Sequence, residues 1–368
     1  MKKIGIDARL YSQTGVGTYL KNLIHYLDKK ELKDDLFYIY LMPDDYNNLL
    51  FKNNNIIKRK VNYRWHTFGE QVGFAIELYK DNLDLMHFTY FSYPILYRKK
   101  FIATVHDLTP LLFKTGKAST KNSLLYKVKY FFYKIILKTQ IKKATKILTP
   151  SKTVRDQLLN KFDQSFKSKI FSIHLGVDNY LLKSKENILL KNKINYKFFI
   201  YVGNFYPHKN VEKLILAFSM VKTSSKLLLL GPNDFFKNRL FQLINRLKQE
   251  KRILFINSLT TEDLIYFYKN AEALIHPSLS EGFGLPLIEA AYFNRPIIAS
   301  NIKVFKELLG DNYLSFNPND IDDIVEKIKS FIEKKPNKFD YKNIIKKYSF
   351  KKMTDETVKI YREVLNGN

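Results

Sequence analysis

Short apolar runs recur along this chain, each followed by a turn and then a longer stretch of helical spacing. That alternation dictates α/β architecture with parallel sheets. In the first half the runs lie at 3–6, 37–41, 85–88, 102–105 and 146–149. A second series begins after residue 195, at 198–202, 226–230, 253–256, 273–275 and 296–299. Helical stretches such as 210–221 and 261–269 separate them. No fixed period relates the units, which excludes a solenoid. A chain of 368 residues then divides most economically into two doubly wound domains. The boundary falls between His174 and Tyr196, since 183–197 is polar and rich in Lys and Asn. This reading assigns 1–178 to a first domain, 179–348 to a second, and 349–368 to a terminal segment with a helical stretch at 351–365.

Hydrophobic residues make up 45% of the chain and aromatics 15%, enough for two packed cores and too much for a disordered chain. Cysteine is absent, which removes disulfide scaffolds, Cys-ligated zinc, iron–sulfur clusters and thiol nucleophiles. The N-terminal residues enter a strand pattern directly, and no window reaches the ~18 apolar residues of a membrane span. The expected location is cytoplasmic, with peripheral contact at the inner face of the plasma membrane as an option.

Lys and Arg total 62 against 35 Asp and Glu, a formal net charge of +27. Residues 98–152 hold fourteen of these cations and one acid, Asp107. Within that stretch Leu124, Leu125, Val128, Phe131, Phe132, Ile135 and Ile136 follow helical spacing, with Lys127, Lys134 and Lys138 on another flank. Such a helix suits either an anionic membrane surface or a solvated face over a packed sheet. Nucleic acid is disfavoured, because Arg98 is the one guanidinium of the patch and no binding motif is present.

Four segments carry candidate chemistry. The first runs from Ala273 through Glu281, Gly282, Phe283, Gly284, Leu285 and Pro286 to Glu289. A strand ends near Pro277, and Pro286 suits the first turn of a helix, with Glu289 placed in that turn. Glycines and a helix N-terminus offer amides to phosphate. The two carboxylates repel phosphate and so suit sugar hydroxyls beside it. The second segment, Gly203-Asn204-Phe205-Tyr206-Pro207-His208-Lys209, puts Lys209 at the carboxyl edge of a sheet. The third is the Gly15-Val16-Gly17 turn after the first strand, and the fourth delivers His106 and Asp107 to the same edge. The Asp320-Ile321-Asp322 sequence starts a helix, where acids complement the dipole. Histidines are scattered without ligand spacing, so no metal and no other cofactor is expected.

Together these segments resemble glycosyltransferase family 4, the retaining nucleotide-sugar glycosyltransferases. The likeness covers nearly the whole chain, including Leu148-Thr-Pro-Ser151, Leu175-Gly-Val-Asp178 and Leu230-Gly231-Pro232, and is most specific at Glu281 and Glu289. It implies the GT-B fold: two facing Rossmann-like domains with parallel sheets, acceptor site in the first, donor site in the second, and a C-terminal helix crossing back to the first. By the same likeness Glu289 holds the donor ribose, Glu281 touches the donor sugar, and Lys209 neutralises the diphosphate. The amides of Gly282, Phe283, Gly284 and Leu285 lie beside sugar and phosphate, as do Gly203 and Gly231. Gly15 and Gly17 approach the phosphates, and His106 sits against the donor sugar. Where many relatives carry Arg, this chain has Asn204; a protonated His208 is the expected substitute.

The implied activity is transfer of a hexose from a UDP- or GDP-linked donor to a saccharide or lipid-linked saccharide, with GDP-mannose favoured, in surface polysaccharide synthesis. Two other readings remain: a sugar-nucleotide-binding module without turnover, and a basic nucleic-acid-binding protein.

Overall fold

The computed structural model describes residues 1–32, 35–113, 123–334 and 339–367. They form two units. One comprises Met1–Leu108, Asn122–Leu175 and Ser349–Asn368, the other Thr109–Lys121 and Gly176–Tyr348. The division between Leu175 and Gly176 lies inside the 174–196 interval, and the described residues Thr109–Phe113 group with the second unit.

The first unit contains β1 (Lys3–Asp7), β2 (Leu36–Leu41), β3 (Ile56–Lys60), β4 (Leu85–Phe88), β5 (Phe101–Thr104), β6 (Lys146–Thr149) and β7 (Ile170–Ser172). They make one sheet in the order β3-β2-β1-β4-β5-β6-β7, every pair parallel. Central strands such as β4 are buried at every position, as expected where helices cover both faces. The second unit contains β8 (Phe198–Val202), β9 (Lys226–Leu230), β10 (Ile253–Ile256), β11 (Leu274–His276), β12 (Ile297–Ser300) and β13 (Leu314–Phe316), ordered β10-β9-β8-β11-β12-β13 and again parallel. Its core gathers Phe199, Leu214, Phe218, Leu229 and Ile275 around the helices Val211–Met220 and Ile321–Lys334. In both sheets the chain works outward from one strand, then jumps back beside it, which leaves a crevice at the carboxyl ends where the order reverses.

The helix Phe350–Asn366 belongs to the first unit, far in sequence from most of it. It buries Met353, Val358, Tyr361 and Val364, and its Tyr361 hydroxyl lies 2.7 Å from His87 Nδ1. His87 Nε2 in turn lies 2.7 Å from Thr104 Oγ1 on β5. Burial, reinforced by His106, holds the His87 imidazole down to about 3, so this tie is a neutral one. Asp320 accepts from the amides of Asp322 and Asp323 at 3.0 and 3.3 Å, starting the helix as expected.

Candidate functional site

Strands β8 and β11 are neighbours at the order reversal of the second sheet. Being parallel, they release their following loops at the same edge. The two loops are tied to each other: the Leu279 amide donates to the His208 carbonyl at 2.8 Å. Asn210 adds a second tie, its Nδ2 donating to the carbonyls of Pro277 (3.1 Å) and Pro318 (2.8 Å). It does so from a left-handed backbone, φ 59°, a conformation Asn tolerates better than most residues. Sequence reasoning passes over Asn210, although an Asn directly before a helical stretch is a turn signal.

This bracing brings Lys209 and Glu281 together. Lys209 Nζ lies 2.7 Å from Glu281 Oε1, with both side chains mostly buried. The same oxygen accepts from Ser278 Oγ at 2.8 Å and from His276 Nε2 at 3.1 Å. Burial alone would push the Glu281 carboxyl up. The Lys209 ammonium and His276 outweigh it and hold the carboxyl well below its ordinary range. His276 is itself lowered by burial, against the pull of Glu281. Its ring stacks on Tyr201, centroids 5.6 Å apart, which fixes the imidazole plane. His276 and Ser278 are partners of Glu281 that sequence reasoning does not single out; their position at the end of a strand, before a Gly-rich turn, is the available signal.

The glycines at this edge serve close approach. A Cβ on Gly231 would stand 2.1 Å from the Gly203 carbonyl oxygen, so the chain leaving β9 passes against the chain leaving β8 only because Gly231 is bare. Asn204 Oδ1, His208 Nδ1 and His276 Nδ1 are buried without a protein partner among the described residues. Buried polar atoms are normally satisfied, so three such atoms around one edge mark a place prepared for water or ligand. One expectation is corrected here. Burial and the neighbouring Lys209 bring the His208 imidazole down to about 4, so it is neutral at pH 7 and cannot stand in for an arginine at Asn204.

After the second loop, Gly284 (φ +109°) turns the chain into the helix Leu285–Tyr292. Leu285 and Pro286 open that helix, and Glu289 is its fifth residue rather than part of the first turn. The Phe283 side chain is buried, with its ring 5.6 Å from Tyr348, which leaves its main chain as the part that can serve a ligand. Glu289 is buried and accepts from the Tyr268 hydroxyl at 2.7 Å. Burial pushes its carboxyl up to about 7; the Tyr268 bond opposes this and Asp178 adds to it.

A raised carboxyl pKa means that the unfolded state ionises first as pH rises. Glu289 therefore withdraws stability between its ordinary value of 4.5 and about 7, on the order of 3 kcal/mol in full. Glu289→Gln should remove that slope, leaving the variant more heat-stable than the parent at pH 8 and little different at pH 4.5. Thermal melts across this range, with no nucleotide present, check it. Parallel melting curves for the two proteins would refute the assignment.

The first unit holds the other expected residues. His106 is buried, its Nε2 2.9 Å from the Thr89 carbonyl and its ring edge-on to Tyr19 at 4.9 Å. Burial brings it down to about 4, so it donates to Thr89 as a neutral ring. Gly15 caps the helix Val16–Asp28, and Gly17 is buried where a Cβ would meet the Tyr11 carbonyl at 2.5 Å. Asp7, Arg9 and Glu70 form a buried network that sequence reasoning does not find. Arg9 Nη2 lies 2.7 Å from both Asp7 Oδ2 and Glu70 Oε1, while Nη1 donates to the Tyr63 carbonyl at 3.0 Å. Its guanidinium covers the Phe74 ring at 4.0 Å. Glu70 lies 61 residues beyond Arg9, so the network leaves no spacing signal.

Comparison with known proteins agrees with this anatomy. The family described as Glycosyl transferases group 1 matches residues 184–351, and Glycosyltransferase Family 4 matches residues 13–179. The O-antigen chain mannosyltransferase RfbU of Salmonella typhimurium is 29% identical over 290 residues, 78% of this chain and 76% of that protein. Among solved structures, sucrose-phosphate synthase from Thermosynechococcus elongatus superposes with TM-score 0.80 over 100% of both chains, at 16% identity. HepE of Anabaena, solved with UDP and glucose, gives TM-score 0.77 over 99% of this chain and 100% of that one, at 15% identity. With these matches side by side and the fold of a GT-B enzyme throughout, the chain joins a Glycosyltransferase Family 4 domain at 13–179 to a Glycosyl transferases group 1 domain at 184–351.

Proposed function

We propose that this glycosyltransferase moves a hexose from a nucleoside diphosphate to a saccharide or lipid-linked saccharide acceptor, with retention and without a metal, in cell-surface polysaccharide synthesis. The observation that carries the reading is the Lys209–Glu281 pair braced by His276 and Ser278 at the carboxyl edge of β8 and β11. The likeness to RfbU, an O-antigen chain mannosyltransferase, favours mannose and hence GDP-mannose as the first donor to test.

In this reading the barrier is charge separation, because the departing diphosphate gains negative charge as the sugar becomes cationic. One ammonium at ~4 Å with an effective dielectric near 20 stabilises that charge by on the order of 4 kcal/mol. Lys209 supplies the ammonium. Amides at the start of the helix Leu285–Tyr292 add fixed dipoles that need no reorganisation. Glu281, kept ionised, accepts from donor-sugar hydroxyls while it positions Lys209. Glu289 accepts from the ribose hydroxyls in its ionised form, so nucleotide binding strengthens as pH rises through about 7. His106, in the first unit, stays neutral and anchored on Thr89. The leaving phosphate takes the acceptor proton.

The test is release of nucleoside diphosphate from a panel of UDP- and GDP-sugars with candidate saccharide and lipid-linked acceptors, run with and without EDTA. Turnover that needs an acceptor, ignores EDTA and gives a product anomer matching the donor by NMR is expected. Binding of a sugar nucleotide with no turnover on any acceptor would instead favour a binding module, a reading that Asn204 supports. Failure to bind any sugar nucleotide would overturn the proposal.

A further inference from the structure

The helix Ser123–Lys143 resolves the two readings of its apolar residues by splitting them. Ile136, Leu137 and Ile141 are buried against the first unit, and Gln140 Nε2 donates to the Tyr90 carbonyl at 2.9 Å. Phe131 and Phe132 point outward, 60% and 55% exposed, with Ile135 beside them. The single face expected from spacing is therefore two faces; the side chains of Leu124, Leu125 and Val128 lie outside those described. Adjacent phenylalanines in water are unusual on a helix already docked by another side.

These residues are not isolated. On the same helix Tyr133 turns inward and meets the His66 ring at 6.2 Å and the Phe91 ring at 5.8 Å. Phe68, two residues beyond His66, is 83% exposed. From there the π-helical turn Glu70–Phe74 runs into the helix Ala75–Lys80. It buries Phe74 and Leu78 and turns Val72, Ile76 and Tyr79 outward, positions one helical face apart. The Tyr79 hydroxyl donates to the carbonyl of Leu96, whose side chain is also exposed. Two elements joined through His66 and Tyr133 thus both present apolar side chains to solvent, within one unit.

The charge around them selects the occupant. Lys127, Lys134, Lys138, Lys142 and Lys143 are exposed on the Ser123–Lys143 helix, which contains no acid. Long lysine stems reach past buried aromatic rings and keep their ammonium groups among headgroups, which an acid-poor aromatic helix permits at a lipid surface. No helix among the described residues is long and apolar enough to cross a membrane, so contact would be in the plane of the interface. We infer that this face of the first unit docks on an anionic phospholipid surface, with Phe131 and Phe132 entering below the headgroups and the lysines lying over them. The inference is independent of the donor chemistry, because every residue in it belongs to the first unit.

Trp65, the chain's sole tryptophan, stands beside His66 and reports on this face. The full chain is to be sedimented with vesicles of phosphatidylcholine alone and of equimolar phosphatidylcholine and phosphatidylglycerol, and its fluorescence followed with brominated lipids. Expected are binding to the anionic vesicles only, weakening by salt, and quenching of Trp65. Phe131→Ser with Phe132→Ser should lower vesicle affinity by on the order of tenfold. Lys127→Glu, Lys134→Glu and Lys138→Glu together should lower it by on the order of a hundredfold. Urea unfolding followed by Trp65 fluorescence without lipid serves as the fold control for the first unit and should be unchanged in both variants. No binding by the parent chain at low salt would overturn the inference. So would loss of binding in the lysine variant with none in the phenylalanine variant, which means adsorption by charge alone. A dimer in ultracentrifugation that the phenylalanine variant abolishes, without vesicle binding, would assign the face to a second copy of the chain instead.

Discussion

Lys209→Ala is expected to lower donor turnover by on the order of a hundredfold or more while leaving secondary structure intact. The ammonium holds two relationships at once. It is the cation for the leaving diphosphate, and it is the main opposition to burial at Glu281. Without it Glu281 keeps Ser278 and His276, and both the carboxyl and the imidazole rise, since Lys209 depresses each. Breaking a buried pair on one side is usually more damaging than replacing both partners. Lys209→Ala should therefore also lower the melting temperature, and adding Glu281→Gln should restore it without restoring turnover. Steady-state kinetics and thermal melts of the single and double variants separate the two roles. Near-normal turnover in Lys209→Ala would remove this residue from the chemistry, whatever the melting curves show.

The second large effect lies away from the donor residues. Arg9→Leu should destabilise the first unit by about 3–5 kcal/mol, because Asp7 and Glu70 would then face each other inside the protein with no cation between them. Glu70 would retain the Ser92 hydroxyl and the His66 amide, partners too weak to replace a guanidinium. Urea unfolding followed by Trp65 fluorescence reports the first unit, since the chain has no other tryptophan. The transition should move to lower urea in Arg9→Leu, while nucleotide binding in the second unit, measured in native buffer, is unchanged. A transition at the parental midpoint would show that the network contributes no net stability.

How far the fold was legible depended on where a strand sits. The strands expected from apolar runs are all found, within a residue or two of their ends. The three that reading misses, β3, β7 and β13, are all edge strands. Ile57, Lys58, Arg59 and Lys60 on β3 need only one neighbour and cover little core, so nothing demands an apolar run there. β7 and β13 span only Ile170–Ser172 and Leu314–Phe316, too short for periodicity to register. At the site the motifs around Lys209, Glu281 and Glu289 were legible because glycines, proline and carboxylates crowd into two short segments. Their electrostatics were not. That His208 is neutral, that Glu289 is held near 7, and that Arg9 lies between two acids all follow from burial, which no local spacing encodes.

The helix Phe350–Asn366 follows the whole second unit in sequence yet fills a face of the first. A ribosome therefore finishes the second unit while the first still lacks the element carrying Tyr361, and His87 waits in an open groove until then. Emergence order and completion order are inverted. For the cell, the vulnerable nascent species is the half synthesised earliest, which must keep its unfilled seam away from chaperone-free company for the entire remainder of translation.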